Sequence, residues 1–150
     1  MLIRVEVNGL SRPFDVEPGD YLLDTLRNAG WLSVRRGCDS TSCGVCTVLV
    51  DGRPVPSCSF LSIRADGRKV TTVEGIAAEA ERLARHFGEE GADQCGYCNP
   101  SLALAVYALK TTKPDATDDE IRTWLVGNLC RCSGYQSQLA AIRRYLEERP

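Results

Sequence analysis

The sequence predicts an α+β chain in two units, a mixed strand-and-helix unit over residues 1–75 and an all-α, four-helix unit over residues 76–150. Three observations carry this. Residues 2–8 alternate apolar and polar, with Ile3, Val5 and Val7 on one face, which is the period of a strand. After Gly75 the apolar period lengthens to that of a helix. Eight cysteines fall into two groups of four, one group in each unit. Units of about 75 residues have thin cores, and a metal site is a common way to hold such a unit together.

The elements follow in order. Asn8-Gly9 is a hairpin turn signal, and residues 12–17 read as the returning strand. Pro18-Gly19-Asp20 breaks the pattern, with Asp20 as candidate N-cap. The helix behind it carries Leu22, Leu23, Leu26 and Ala29 and stops at Gly30. Thr47–Val50 reads as a strand followed by the turn Asp51-Gly52. Another short strand is expected within residues 55–63, and a last one over 69–73 after Asp66-Gly67. A hairpin, one helix and further strands in this order suggest the β-grasp topology.

Ala80, Leu83, Ala84 and Phe87 mark the first helix of the second unit, with His86 expected on its surface. Leu102, Val106 and Leu109 mark the next, Pro100 standing in its first turn. Thr117-Asp-Asp-Glu120 is a capping box opening a third helix, which buries Ile121 and Leu125 and ends at Gly127. Tyr135, Leu139, Ile142 and Leu146 mark a fourth, with Ser133 as candidate N-cap. Trp31 and Trp124 read first as packing residues at element ends and second as partner contacts, and Arg143-Arg144 with Glu147-Glu148-Arg149 as a solvated helix face.

Composition excludes several classes of function. A formal charge of −2 leaves no electrostatic footprint for nucleic acid or a membrane surface. No apolar run reaches the roughly 18 residues of a membrane span. The N-terminal segment lacks the apolar core of a signal peptide, so a cytoplasmic location is expected. Disulfide frameworks concentrate in short secreted chains, which turns attention to metal for these cysteines. Neither Gly-x-Gly-x-x-Gly nor Gly-x-x-x-x-Gly-Lys occurs, so no flavin or nucleotide site of the chain's own is expected.

Cys38, Cys43, Cys46 and Cys58 have the Cys-x4-Cys-x2-Cys…Cys spacing of plant-type [2Fe–2S] ligation. Three thiolates from one tight loop converge on an anionic core, so the loop is expected to turn its backbone N–H groups inward. Gly37 and Gly44 suit the close approach this needs, and Asp39, Ser40, Thr41 and Ser42 suit the loop's remaining polar groups. Zinc competes for the site, but only Cys43 and Cys46 form a zinc-like knuckle.

Cys95, Cys98, Cys130 and Cys132 form the second group, whose Cys-x-Cys pair fits a zinc knuckle poorly. Cys98 and Cys132 each precede an expected helix, whose N-terminal amides and dipole favour thiolate. Arg131 adds positive charge between two ligands, though a solvated arginine explains it equally well. His86 is the only histidine, so a Rieske centre, which needs two, is excluded.

Three segments together resemble the small [2Fe–2S] subunit of the molybdenum hydroxylases, the family of xanthine dehydrogenase, aldehyde oxidoreductase and carbon monoxide dehydrogenase. They are Gly37-Cys-Asp-Ser-Thr-Ser-Cys-Gly-Val-Cys-Thr47, Gln94-Cys-Gly-Tyr-Cys-Asn-Pro100 and Gly127-Asn-Leu-Cys-Arg-Cys-Ser-Gly-Tyr-Gln136. Ordinary ferredoxins lack the second motif. The resemblance implies a β-grasp, plant-type ferredoxin-like domain followed by a four-helix [2Fe–2S] domain with pseudo-twofold arrangement. It also implies an electron-transfer subunit of a hetero-oligomeric oxidoreductase. A large subunit would bind the molybdopterin cofactor, and a medium subunit would carry FAD. Gln94 and Cys132 would approach the partner-bound molybdopterin. The cluster on Cys95, Cys98, Cys130 and Cys132 would lie nearer molybdenum, and that on Cys38, Cys43, Cys46 and Cys58 further out. The chain departs from many relatives at Thr41, Val45, Asn99 and Ser101, with Asn99 expected to cap its helix. A freestanding two-cluster ferredoxin and a zinc-stabilised interaction module are the alternatives.

Overall fold

A computed structural model describes residues 1–148, so Arg149 of the expected solvated tail lies outside the described residues. Strands β1 (Leu2–Val7) and β2 (Leu10–Asp15) form the expected hairpin. Its turn places Asn8 (φ 52°) and Gly9 (φ 82°) in the left-handed region that a two-residue hairpin loop requires. Helix α1 (Leu22–Asn28) follows, then β3 (Thr47–Val50), β4 (Arg53–Pro56) and β5 (Lys69–Thr71). The sheet order is β2-β1-β5-β3-β4; β1 and β5 are parallel and the other pairs antiparallel. The strand expected within 55–63 ends at Pro56, because two short 3₁₀ turns, Ser57–Ser59 and Ser62–Ala65, take over.

Asp20 does not cap α1. Its carboxylate accepts the Glu17 amide at 2.8 Å, closing the Pro18-Gly19 turn, and Tyr21 holds the N-cap position without a side-chain bond. Leu22, Leu23 and Leu26 press onto the face formed by Ile3, Val5 and Val7 together with Val48, Val50 and Val70. Every residue of β3 is buried, since Val48 and Val50 face α1 while Leu49 faces the other way.

The far side of the sheet is covered by the second unit. Helices α2 (Ala77–Glu89), α3 (Asn99–Thr112), α4 (Asp118–Trp124) and α5 (Gln136–Glu147) enclose a core that includes Leu83, Phe87, Val106, Ile121 and Ile142. Leu104 and Ala108 on α3 meet Leu49 and Ile76, joining the two units through apolar contact. The Thr117 capping box is present in full. No helix is long and apolar enough to cross a membrane among the described residues.

His86 is a correction. It is 6% exposed, and its Nε2 lies 2.9 Å from a Glu148 carboxylate oxygen. Residue 86 stands next to the apolar stripe of α2, and α5 with its following residue closes over it. Trp31 packs against Phe14 with ring centroids 6.1 Å apart, and Trp124 donates its indole N–H to the Ala105 carbonyl at 2.8 Å. Trp31 is a packing residue, as expected, whereas Trp124 remains exposed apart from that bond.

Candidate metal centres

The first cysteine loop connects α1 to β3. Thr41 (φ 56°) and Gly44 (φ 67°) reverse its course, and the Ser40 and Ser42 hydroxyls lie 2.9 Å apart. The amides turn inward as expected. The Cys43 amide, the Cys43 thiol and the Ser40 and Ser42 amides favour ionised Cys38, lowering its thiol to about 6. Cys43 and Cys46 are buried, and Cys58 reaches them from the turn after β4. Burial, then the neighbouring Cys46 thiol, pushes Cys58 up to about 12.

The second group draws on two segments. Cys98 occupies the N-cap of α3, so its placement at a helix start is as expected. Asn99 is the first helical residue rather than the cap, and its side chain turns to Asp93. Ser101 is buried, with its hydroxyl on the Cys98 carbonyl at 2.9 Å. Cys132 does not stand at the start of α5, which begins four residues later at Gln136 behind Tyr135 in a left-handed conformation (φ 70°). Ser133 is likewise no N-cap for α5. Its hydroxyl donates to the Cys130 sulfur at 3.1 Å, and its amide points to the same sulfur at 3.4 Å. Burial raises the Cys130 thiol, but Ser133 hydroxyl and amide outweigh it and leave the thiol at about 7. Burial drives Cys98 the other way, to about 12, with Cys130 adding to the rise.

All four cysteines of this group line one small cavity of about 10 Å³, together with Gln94, Asn99 and Gln138. The Gln94 amide donates to the Cys132 carbonyl at 3.2 Å, so the two residues singled out for contact with a partner cofactor stand together. Cys95 and Cys132 are exposed, with their sulfurs 3.5 Å apart. Arg131 is exposed, in keeping with the solvated reading.

The sulfurs approach one another in pairs: Cys38 with Cys43, Cys46 with Cys58, Cys95 with Cys132, and Cys98 with Cys130. Among the described residues, no three His, Cys, Asp or Glu side chains gather as a single-ion site. Two pairs per site suit a two-iron core, which takes two protein ligands on each iron. The inward amides suit its negative charge. The thiol arrangement therefore fits [2Fe–2S] clusters.

The two sites abut. The Leu129 amide donates to the Cys43 carbonyl at 2.8 Å, and Val45 packs with Cys43 and Cys98. Arg35 bonds the carbonyls of Gly96 and Tyr97 at 2.9 and 2.8 Å, while the Tyr97 hydroxyl bonds the Arg36 carbonyl at 2.8 Å. Nothing in the sequence pattern marks Arg35 for this. Gln138 was also missed, although a polar residue in register with Ala141, Ile142 and Tyr145 on a buried stripe is a legible signal.

Comparison with known proteins agrees with this geometry. A family profile described as "2Fe-2S iron-sulfur cluster binding domain" matches residues 5–72, and one described as "[2Fe-2S] binding domain" matches residues 72–143. The chain is 43% identical to the nicotinate dehydrogenase small FeS subunit of Eubacterium barkeri, covering 97% of this chain and 94% of that one. It is 41% identical to the xanthine dehydrogenase iron-sulfur-binding subunit of Escherichia coli O157:H7, over 89% and 87% of the two chains. Among solved structures, quinoline 2-oxidoreductase from Pseudomonas putida superposes with a TM-score of 0.89 at 36% identity, over 97% and 93% of the chains. The aldehyde oxidoreductase of Desulfovibrio desulfuricans gives 0.90 at 34% identity, with 97% of this chain matching 17% of a much longer one. With both cluster-binding profiles matched in tandem and relatives this similar over almost their full length, the chain belongs to the family of two-cluster [2Fe–2S] electron-transfer subunits of the molybdenum hydroxylases.

Proposed function

We propose that this chain relays electrons from the molybdenum centre of a large molybdopterin-binding subunit to a flavin-carrying subunit or another acceptor. In this reading Cys95, Cys98, Cys130 and Cys132 hold the cluster nearer molybdenum, and Cys38, Cys43, Cys46 and Cys58 hold the outer one. Each bound cluster supplies a one-electron relay. The observation that carries the order is the exposed edge formed by Cys95, Cys132 and Gln94, where a partner's cofactor has direct access to ligand atoms. The segment that carries Cys130 and Cys132 also holds exposed apolar side chains, Val126 (83% exposed), Leu129 and Tyr135. These suit coverage by a partner protein.

The chain's own residues make the relay. The inward amides of the first loop stabilise negative charge, and Ser133 does the same at Cys130. The hydrogen bond from Leu129 to Cys43 makes a short connection between the sites, since Leu129 precedes Cys130. We place the division of labour at residues 75 and 76, between the end of the sheet and α2. A cytoplasmic complex is part of this proposal.

The test is to isolate the native complex, add its substrate anaerobically and follow the two reduced-cluster signals by electron paramagnetic resonance. Both signals are expected to appear, with molybdenum and flavin in the co-purifying chains. A chain that runs alone and exchanges electrons with unrelated enzymes would establish the freestanding-ferredoxin alternative instead.

A further inference from the structure

We propose that Gln138 is a positioning residue whose amide N–H, directed at the Cys98 sulfur, raises the reduction potential of the cluster held by Cys95, Cys98, Cys130 and Cys132. The proposal rests on the ligand assignment above.

Gln138 lies in the first turn of α5, in register with Ala141, Ile142 and Tyr145, all of which are buried. An apolar residue is what this stripe calls for. Gln138 is nonetheless 2% exposed, and its Oε1 has no hydrogen-bond partner. Burying a primary amide with an unpaired oxygen is unfavourable, so stability alone does not explain the residue. Its other end has a defined target. Nε2 lies 3.9 Å from the Cys98 sulfur, within reach of an N–H···S bond, and the side chain walls the same cavity as the four cysteines. The reverse orientation would set the amide oxygen against a thiolate, two acceptors facing each other.

Two of the other sulfurs have donors of their own. Cys95 accepts the Tyr97 amide at 3.4 Å, and Cys130 accepts the hydroxyl and amide of Ser133. For Cys98, the deepest sulfur of the group, the donor from elsewhere in the chain is Gln138. Reduction adds one negative charge to the cluster. A donor aimed at a ligand sulfur therefore stabilises the reduced form more than the oxidised one.

The test is a redox titration of the holo complex, monitored by electron paramagnetic resonance, for wild type, Gln138→Leu and Gln138→Met. Both variants remove the donor, and methionine retains the unbranched shape. Each is expected to disfavour reduction of this cluster about tenfold, which is about 59 mV lower for a one-electron couple. The outer cluster should keep its potential. Unchanged potentials at full iron content overturn the proposal, as does an equal shift in both clusters. Loss of iron from this site in both variants also overturns it, by making Gln138 a structural prop. The underlying ligand assignment fails separately, if Cys98→Ser retains both clusters.

Discussion

A Cβ atom built on Gly44 would stand 1.7 Å from the carbonyl oxygen of Gly127. This is the closest approach of the two cysteine loops to one another that any glycine permits, and Gly44 also sits at φ 67°, where side chains are strained. The hydrogen bond from Leu129 to Cys43 lies directly beside it.

Gly44→Ala is therefore expected to push the loops apart. The cost should be about 3 kcal/mol or more, since backbone rather than a flexible side chain must move. Thermal melting of the holo protein measures the loss, and weakened spin coupling between the reduced clusters reports the separation. Wild-type values for both would remove the argument for close approach.

Cys46→Ser and Cys98→Ser should each delete one cluster and spare the other. Iron should fall from about four atoms per chain to about two, and a different resonance should vanish in each variant. Iron analysis with low-temperature spectra checks this. If a single substitution abolished both signals without unfolding the chain, the grouping of the ligands would be wrong.

Thr117→Ala removes the cap of α4 and should cost about 1 kcal/mol in denaturant melts. The same box gives a pH dependence. Lys113, then the Thr117 amide and hydroxyl, hold Glu120 down at about 2 from an ordinary value of 4.5. A depressed carboxylate stabilises the fold above its unfolded value, so this contribution is complete above 4.5 and lost as pH falls through about 2. Glu120→Gln should flatten that acid limb relative to wild type, the difference between the curves cancelling any acid loss of cluster common to both.

Tyr145→Phe tests the alkaline side. The Tyr145 hydroxyl donates to Glu79 at 2.6 Å, and burial together with that carboxylate raises the phenol above its ordinary value of 10.0. A raised group contributes below its unfolded value and loses its contribution as pH rises beyond it. The variant should be about 1 kcal/mol less stable at neutral pH. It should also lack the decline of wild type above 10.0, as chemical denaturation across that range would show.

Much of this protein is legible in its sequence. The Asn8-Gly9 and Asp51-Gly52 turns, the Thr117 box and the helical stripes encode structure over a few residues, where local backbone preference decides the outcome. The caps misread were those whose polar side chains found other partners: Asp20 closes a turn, Asn99 reaches Asp93, and Ser133 serves a sulfur. A short polar residue offers one hydrogen-bonding group to several neighbours, and packing selects among them.

The sequence by itself determined that the eight cysteines fall into two groups of four, at separations along the chain that suit cluster ligation. Only the tertiary structure decided how those groups meet. His86 became buried when α5 closed over α2, Arg35 reached Gly96 and Tyr97, and Gln138 came to face Cys98. Each is a contact between residues at least 40 positions apart, so no local period or spacing records it. The Arg35 contacts cross between the two units, which also meet where Leu49 packs against Leu104 and Ala108.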